Sequence, residues 1–178
     1  MRGPDKLAER VEGIPLLARL ATAAAATGCP VCVALPSADH PRAALLSGLP
    51  VAMLTVPDSA EGLGGTLRGA VARLPDCARF MVLLADLPEI GVADIRAVLD
   101  APCTAPDAVI WRGATADGRP GHPILFDASL RPRFATLAGD SGGEGVVGAP
   151  GGGGGGVPPP PPPPPGDPHP PHHSGPQP

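Results

Sequence analysis

The sequence contains almost no aromatic side chains, with no Tyr, one Trp and three Phe among 178 residues. Proteins that bind single-stranded nucleic acids stack the bases on aromatic side chains, so this composition argues against such a platform. An excess of basic residues is also lacking, since 13 Lys and Arg stand against 17 Asp and Glu. Nucleic-acid-binding domains usually carry a basic face. The sequence therefore predicts no nucleic-acid partner.

Long hydrophobic runs and a disulfide framework are missing as well. No apolar run approaches the roughly 18 residues of a membrane span, so we expect no membrane partner. The stretch 16–26 is small and apolar, but Glu12 and Arg19 interrupt the apolar core that an export signal needs. Cys29 and Cys32 form a CxxC at a helix exit rather than a helix start, and a second pair for zinc is absent. We therefore expect a cytoplasmic protein with reduced cysteines.

Glycine and proline, in contrast, dominate the end of the chain. From Ser141 onward the sequence has almost no large apolar residue, and it includes the runs 151–156 of Gly and 158–165 of Pro. Such a segment buries too little apolar surface to offset the entropy lost on ordering. The sequence therefore predicts one domain over residues 1–140 and a disordered tail over residues 141–178.

The most informative stretch is FMVLLADLPEI, Phe80 to Ile90. Its continuous apolar run predicts a strand buried on both faces, as in the middle of a parallel sheet. Asp86 follows the run by one residue, at the sheet edge where open α/β folds bind ligands. A carboxylate there suits a hard cation such as Mg²⁺ carried by a nucleotide. The alternative is a loop Asp that caps the following helix.

The remaining patterns of residues 1–140 alternate between helix and strand. This order predicts an α/β fold with right-handed crossovers and a mostly parallel sheet. The pattern begins with a helix, whereas nucleotide-binding α/β domains usually begin with a strand and a glycine loop. The predicted helices are 15–26, 41–46, 66–73, 92–99 and 129–137, and the predicted strands are 31–35, 51–56, 80–84, 107–111 and 123–126.

Two glycine-rich segments are candidates for ligand contacts. In PDSAEGLGGTLRG, 57–69, the glycines allow a ligand to approach the backbone, and a helix start at Thr66 offers free N–H groups. It fits neither a P-loop nor a dinucleotide fingerprint, and the alternative is a mobile loop. In GRPGHPILF, 118–126, His122 stands on a stiff turn where it could hydrogen-bond a substrate or move a proton. The alternative is a solvated loop His.

Taken together, these segments resemble the MobA-like nucleotidyltransferases, and most closely the molybdenum cofactor cytidylyltransferases. The likeness covers about residues 2–142, and the order and spacing of the motifs make it specific. The motifs are DKL at 5–7, IPLL at 14–17, GLGGTLRG at 62–69, LLADLP at 83–88, GRPGHPILF at 118–126 and LAGDSG at 137–142.

The resemblance implies a Rossmann-like three-layer α/β sandwich that transfers CMP from CTP to molybdopterin cofactor with Mg²⁺ as cofactor. A molybdoenzyme or a chaperone is an implied protein partner. Such a transfer depends on positioning and charge neutralisation rather than on covalent participation of the protein. The residues implied are Lys6 and Asp86 for catalysis, Asp86 for the metal, Lys6, Gly62, Gly65 and Thr66 for the nucleotide, and Gly121, His122, Pro123 and Asp140 for the second substrate.

The sequence departs from the family pattern at both ends. The family begins with a strand and a glycine-rich loop, whereas Met1-Arg2-Gly3 corresponds to the end of that loop. The C-terminal aspartate motif, which supplies a second metal ligand, is replaced by the Gly/Pro tail. We therefore expect a fragmentary reading frame with a late start and a frame change near Gly142. The alternatives are a related transferase with another nucleotide or acceptor, and an inactive fragment whose Pro-rich tail binds a partner.

Overall fold

A computed structural model of the protein describes residues 6–11, 13–140, 142, 144–147 and 154–157. Helices and strands alternate along most of this length, which confirms the predicted α/β class. In chain order the elements are β1 (Arg10–Val11), β2 (Ile14–Pro15), α1 (Leu16–Ala25), β3 (Cys32–Leu35), β4 (Ala52–Thr55), α2 (Leu63–Ala72), β5 (Arg79–Val82), α3 (Val92–Asp100), β6 (Ile110–Ala114), β7 (Pro120–Asp127), α4 (Arg131–Phe134), α5 (Glu144–Val147) and β8 (Gly154–Val157).

Short 3₁₀ helices connect several of these elements. The predicted helix over 41–46 is one of them, and Pro41 lies in its first turn, where a missing N–H costs nothing. The predicted helix over 129–137 is divided into a 3₁₀ turn followed by the four-residue α4. The 3₁₀ helices span Lys6–Ala8, Pro41–Leu46, Pro57–Glu61, Ala101–Cys103 and Ala128–Leu130.

Helix α1 and the two-stranded sheet of β3 and β4 form one packing unit. The buried side chains of α1, Leu16, Leu17, Leu20 and Ala21, recur at helical spacing and form a single apolar stripe. The helix is followed by Gly28, whose φ of 84° is left-handed and typical of a helix stop. Strand β3 then pairs in parallel with β4, as predicted. Leucines of α1 and β3 share one core cluster.

The larger sheet has the strand order β5-β7-β6-β8 and is mixed. Strand β7 is antiparallel to both β5 and β6, and β8 is parallel to β6. The predicted mostly parallel sheet is therefore wrong for this part of the chain. The physical reason is the short connection between β6 and β7, because parallel strands need a crossover of a dozen or more residues whereas a hairpin joins antiparallel neighbours.

Helices cover both faces of the larger sheet. On one face α2 and α4 pack against β5, β6 and β7, and the rings of Phe80, Phe126 and Phe134 meet with centroids 5.1–5.5 Å apart. On the other face Val98 of α3 packs against Trp111 and the opposite side of β7. The layers agree with the expected sandwich around this sheet. Among the described helices, none combines the length and apolarity of a membrane span.

Two short elements fall within the segment that the sequence assigns to the tail. Helix α5 carries Val146, which is 1% exposed and belongs to the main core cluster. Strand β8 pairs with β6 from Ile110 to Gly113. The described structure therefore has a helix and a strand beyond residue 140, where the sequence predicted a disordered tail. The reason for α5 is that the valines 146 and 147 are among the few aliphatic residues of this segment.

Candidate functional site

The predicted nucleotide loop, 57–69, consists of the 3₁₀ helix 57–61, Gly62 and the first residues of α2. The helix begins at Leu63 and not at the predicted Thr66, so the prediction of a free N–H group at Thr66 is wrong. Gly62 joins the 3₁₀ helix to α2 with a φ of 111°, a backbone conformation that favours glycine. Gly64 lies so close to the segment before Asp140 that an added Cβ would be 2.7 Å from the Ala138 carbonyl oxygen. The Gly64 N–H donates to the Gly139 carbonyl at 2.8 Å. The first turn of α2 is thus held against another loop of the protein.

Thr66 and Gly65 are fixed by the same local fold. The Thr66 N–H and hydroxyl both donate to the Gly62 carbonyl, at 3.1 and 3.0 Å. Gly65 is buried, and a Cβ there would collide with the Asp58 carbonyl. These contacts give the loop one defined conformation. In this conformation the Thr66 hydroxyl donates its hydrogen bond to the Gly62 carbonyl at the start of α2.

Asp140, predicted for the second substrate, lies beside this nucleotide loop. A Cβ at Gly62 would be 2.5 Å from Asp140 Oδ1, so the carboxylate occupies the space that glycine leaves open. Asp140 itself is exposed. The structure therefore brings Gly62, Gly65, Thr66 and Asp140 into one cluster.

Arg68 holds this cluster together, a role that was not predicted from the sequence. Its guanidinium donates to the Leu137 carbonyl at 2.8 Å, to Glu61 at 2.8 Å and to Asp58 at 3.2 Å. The hydrogen bond to Glu61, and then the one to Asp58, raise the pKa of Arg68. The sequence did carry a signal for this role, because two acidic residues, Asp58 and Glu61, precede Arg68 in the same segment.

Asp86 lies four residues beyond β5, in an exposed turn. Strand β5 ends at Val82, so Leu83 and Leu84, predicted as strand, belong to the connection. Within the described residues Asp86 has no hydrogen bond and no ion pair. Its carboxylate oxygens are therefore available to a ligand. No three His, Cys, Asp or Glu side chains of the described part of the chain converge on a metal position.

His122 lies at the end of the larger sheet at which β5 leads to Asp86. Val82 and Arg112 both pair with Ile124, so the end of β5, the start of β7 and the end of β6 meet there. His122 is half-buried in β7, which begins at Pro120 rather than at the predicted Pro123. Its carbonyl oxygen would be 2.5 Å from a Cβ at Gly113, so the two strands approach closely.

The remaining predicted residues are distributed as follows. Gly121 and the buried Pro123 flank His122 in β7. Lys6 begins the 3₁₀ helix 6–8, and its side chain lies outside the described part of the structure. Arg112, a buried charged residue of β6, was not foreseen, because the predicted strand stopped at Trp111.

Comparison with known proteins gives one family and a set of solved structures. Residues 1–152 match the family described as the MobA-like NTP transferase domain. The fold is similar to the crystal structure of Rv0371c from Mycobacterium tuberculosis H37Rv, at 24% identity and a TM-score of 0.68 over 88% of this chain and 79% of that chain. No curated protein matches the chain.

Two further structures belong to the same set. Rv0371c in complex with manganese is similar at 25% identity and a TM-score of 0.69, over 87% of this chain and 80% of that chain. An Rv0371c homolog from Mycobacterium sp. strain JC1 is similar at 20% identity and a TM-score of 0.66, over 88% of this chain and 77% of that chain. These likenesses extend over most of both chains.

Proposed function

Because the chain belongs to the family of MobA-like NTP transferase domains, whose activity is nucleotidyl transfer, we propose that it transfers CMP from CTP to molybdopterin cofactor. In this reaction an oxygen of the terminal phosphate of molybdopterin attacks the α-phosphorus of CTP. The bond between the α-phosphorus and its bridging oxygen breaks, and pyrophosphate leaves. The product is the cytosine-dinucleotide form of the cofactor.

The exposed carboxylate of Asp86 is the main observation in support of the proposal. Its exposed carboxylate stands beyond β5 and, among the described residues, has no hydrogen-bonding or ionic partner that would explain it structurally. Proteins commonly hold Mg²⁺ with one or two carboxylates together with substrate phosphates, and one free carboxylate fits this arrangement. The ion would neutralise charge on the phosphates. The manganese in the Rv0371c complex supports a divalent cation of this kind.

The loop at Gly62 supplies the second part of the proposal. Its close packing against the segment 138–140 fixes the backbone around Gly65 and Thr66, and a fixed backbone lowers the entropy cost of binding a nucleotide. We assign this loop to CTP and the Lys6 ammonium to its triphosphate. We assign Asp140, which lies beside this loop, to the acceptor.

The acceptor side is assigned to the start of β7. We assign Gly121, His122 and Pro123 to the second substrate, because an imidazole N–H is a hydrogen-bond donor of the kind that a phosphate accepts. His122 lies at the sheet edge where β5 leads to Asp86, and this shared edge supports a common site for metal and acceptor. A cytoplasmic location and delivery of the product to a molybdoenzyme or its chaperone are part of the same proposal.

Pyrophosphate release from each of the four NTPs tests the function. The full chain is incubated with Mg²⁺, molybdopterin and CTP, GTP, ATP or UTP in turn. We expect release with CTP only, and only when molybdopterin is present. Release with another NTP would identify that NTP as a substrate, and release in the absence of molybdopterin would show that molybdopterin is not the acceptor. No release with any combination would overturn the proposed activity.

A further inference from the structure

Strand β4 has one side that no other strand of the described structure covers. It pairs with β3 on its inner side, and in the described residues no strand lies along its other side. Ala52, Met53 and Thr55 are exposed, and Leu54 is half-buried. We call the uncovered side of β4 the outer edge.

The backbone groups of the outer edge are directed to solvent. The N–H groups of Ala52 and Val56 donate to carbonyls of β3 and of the residue before it, at 2.8 and 2.7 Å. Alternate residues of a strand turn their N–H and C=O groups to opposite sides. Met53 and Thr55 therefore turn theirs outward, where no hydrogen bond from another described residue reaches them.

The outer edge lacks the features that usually keep edge strands from pairing. Natural proteins protect such edges with charged side chains, prolines or bulges. No charged residue occurs between Arg42 and Asp58, and β4 contains neither a proline nor a bulge. The side chain of Met53 is 54% exposed, which makes it one of two exposed large hydrophobic side chains of the described residues. The outer edge is therefore open to another strand.

The absence of charge favours a second copy of the chain as the source of that strand. The chain has a net charge of −4, so two copies repel each other where charged surfaces meet. This repulsion is smallest at the neutral segment 43–57. A partner that is recognised by its charge would find no group for an ion pair in this segment.

An antiparallel copy of β4 satisfies the outward groups by symmetry. When Leu54 lies on a two-fold axis, Met53 opposes Thr55 of the second copy, and Thr55 opposes Met53 of the second copy. Each of these two pairs exchanges two hydrogen bonds, whereas the two Leu54 residues meet as a non-hydrogen-bonded pair with close side chains. The same surface of each copy thus completes the other, as in an isologous interface.

Only this register keeps all the paired residues within β4. A shift of two residues in either direction would pair Thr55 with Val51 or Met53 with Pro57. The Val51 N–H already donates to the Leu49 carbonyl at 2.8 Å, and Pro57 begins a 3₁₀ helix and has no N–H. We propose that the outer edge pairs with the same edge of a second copy, so that two two-stranded sheets join into one sheet of a symmetric dimer.

Sedimentation velocity of the full chain without nucleotide tests this inference independently of nucleotide transfer. The sedimentation coefficient should rise with the concentration of the chain, because a short edge buries less than the roughly 1,200 Å² of a stable interface and the dimer is weak. Thr55→Pro replaces the outward N–H with a ring and keeps the bonds to β3, so it should weaken the dimer at least about tenfold. Thr55→Val keeps the N–H and should dimerise like the wild type.

Met53→Lys is a second disrupting variant, and it leaves every backbone group unchanged. The exposed side chain of Met53 can be replaced without loss of core packing. The two-fold axis would bring two lysines into the same interface, and these like charges should also weaken the dimer. Circular dichroism checks that each variant is folded, and Met53→Lys decides the outcome if Thr55→Pro is not.

Amide hydrogen exchange, followed by NMR, locates the contact between the copies. At a chain concentration of about ten times the Kd of the dimer, about one fifth of the chain is monomeric, so exchange at Met53 and Thr55 should slow roughly fivefold. The amides of Ala52 and Leu54 face β3 and should keep their exchange rates.

A chain that stays monomeric at every concentration would overturn the proposal. A dimer that is equally strong in the folded disrupting variants, or that slows exchange elsewhere and not at Met53 and Thr55, would overturn it too. Slowing at Met53 and Thr55 that is independent of chain concentration and comes from a co-purified polypeptide would identify another protein as the occupant, and the proposal would again fail.

Discussion

Arg68 and Asp86 are both charged, but their surroundings give them different roles. The Arg68 guanidinium is 26% exposed and bonded to two carboxylates and to the Leu137 carbonyl. Asp86 is exposed, and it has no hydrogen bond or ion pair to any residue in the described part of the chain. We infer that Arg68 holds the loop cluster together, whereas Asp86 is available for a ligand.

Asp86→Asn removes the charge with little change in shape. The unfolding midpoint without ligand should stay the same, because the exposed carboxylate makes no stabilising contact in the described structure. The rise in midpoint that CTP and Mg²⁺ produce in the wild type by mass action should be lost, corresponding to an affinity at least about tenfold weaker. Thermal unfolding with and without CTP and Mg²⁺ measures both effects.

Glu89→Gln is the matched control for this variant. Glu89 is an exposed carboxylate of the same connection, three residues further along the chain. It should retain the full ligand-dependent rise. A full rise in Asp86→Asn would show that the carboxylate does not take part in nucleotide binding.

Asp127 gives a prediction on pH dependence. It accepts hydrogen bonds from the Ser129 hydroxyl at 2.7 Å and the Ser129 N–H at 3.0 Å, and these bonds lower the pKa of Asp127. A lowered folded-state pKa contributes stability above the ordinary value of about 3.9, and this stability is lost as the pH falls through the folded-state pKa.

Asp127→Asn should therefore flatten the stability profile at acid pH. Between about pH 5 and about pH 2 the wild type should lose more stability than the variant. Urea unfolding at several pH values measures the difference, and Asp107→Asn, a change at an exposed Asp in a turn, should keep the wild-type profile. Parallel profiles for wild type and Asp127→Asn would refute the stabilising role of the hydrogen bonds from Ser129.

At the scale of elements, the contact between the start of α2 and the segment 138–140 determines the geometry of the site. It depends on glycine because two backbones meet without side chains between them. From the glycines of the segment 57–69 we expected that some group approaches this backbone closely. The sequence alone did not identify that group as another loop of the protein, since residues 62 and 140 are far apart in the chain.

Gly64→Ala places a methyl group 2.7 Å from the Ala138 carbonyl oxygen and should separate the two loops. We expect a loss of about 1–3 kcal/mol in the free energy of unfolding, the usual cost of overpacking. Faster amide exchange at Gly65 and Thr66 should accompany it. Urea unfolding and amide exchange give the two measurements.

Gly91→Ala is the control, because a Cβ there would lie 3.6 Å from Asp94 Oδ2, an ordinary contact, and φ is −116°. Its free energy of unfolding should change by less than about 1 kcal/mol. If Gly64→Ala were as mild as Gly91→Ala, the two loops would not be packed as described.

At the scale of the whole molecule, local patterns predicted the elements better than their arrangement. The apolar stripe of α1 and the prolines around β3 and β4 placed these elements within a few residues, because the signals lie within the elements themselves. The direction of β7 was not foreseen, because pairing depends on the length of the connection to β6 and on the partner strand β5. Asp86 does follow a strand, but the prediction of a strand buried on both faces in the middle of a parallel sheet is wrong, because β5 is an outer strand of its sheet and pairs antiparallel with β7. The distance of Asp86 from β5 was underestimated, since Leu83 and Leu84 are apolar without being part of the strand.

Calorimetric titration of CTP into the full chain measures whether the protein binds the proposed nucleotide. With Mg²⁺ present, we expect saturable binding with a Kd below about 1 mM, a range typical of enzyme substrates. Addition of a chelator should abolish it, because the phosphates then lose the cation that we assign to Asp86. The absence of saturable heat with CTP, GTP, ATP and UTP, from a chain that circular dichroism finds folded, would rule out the proposed nucleotide site.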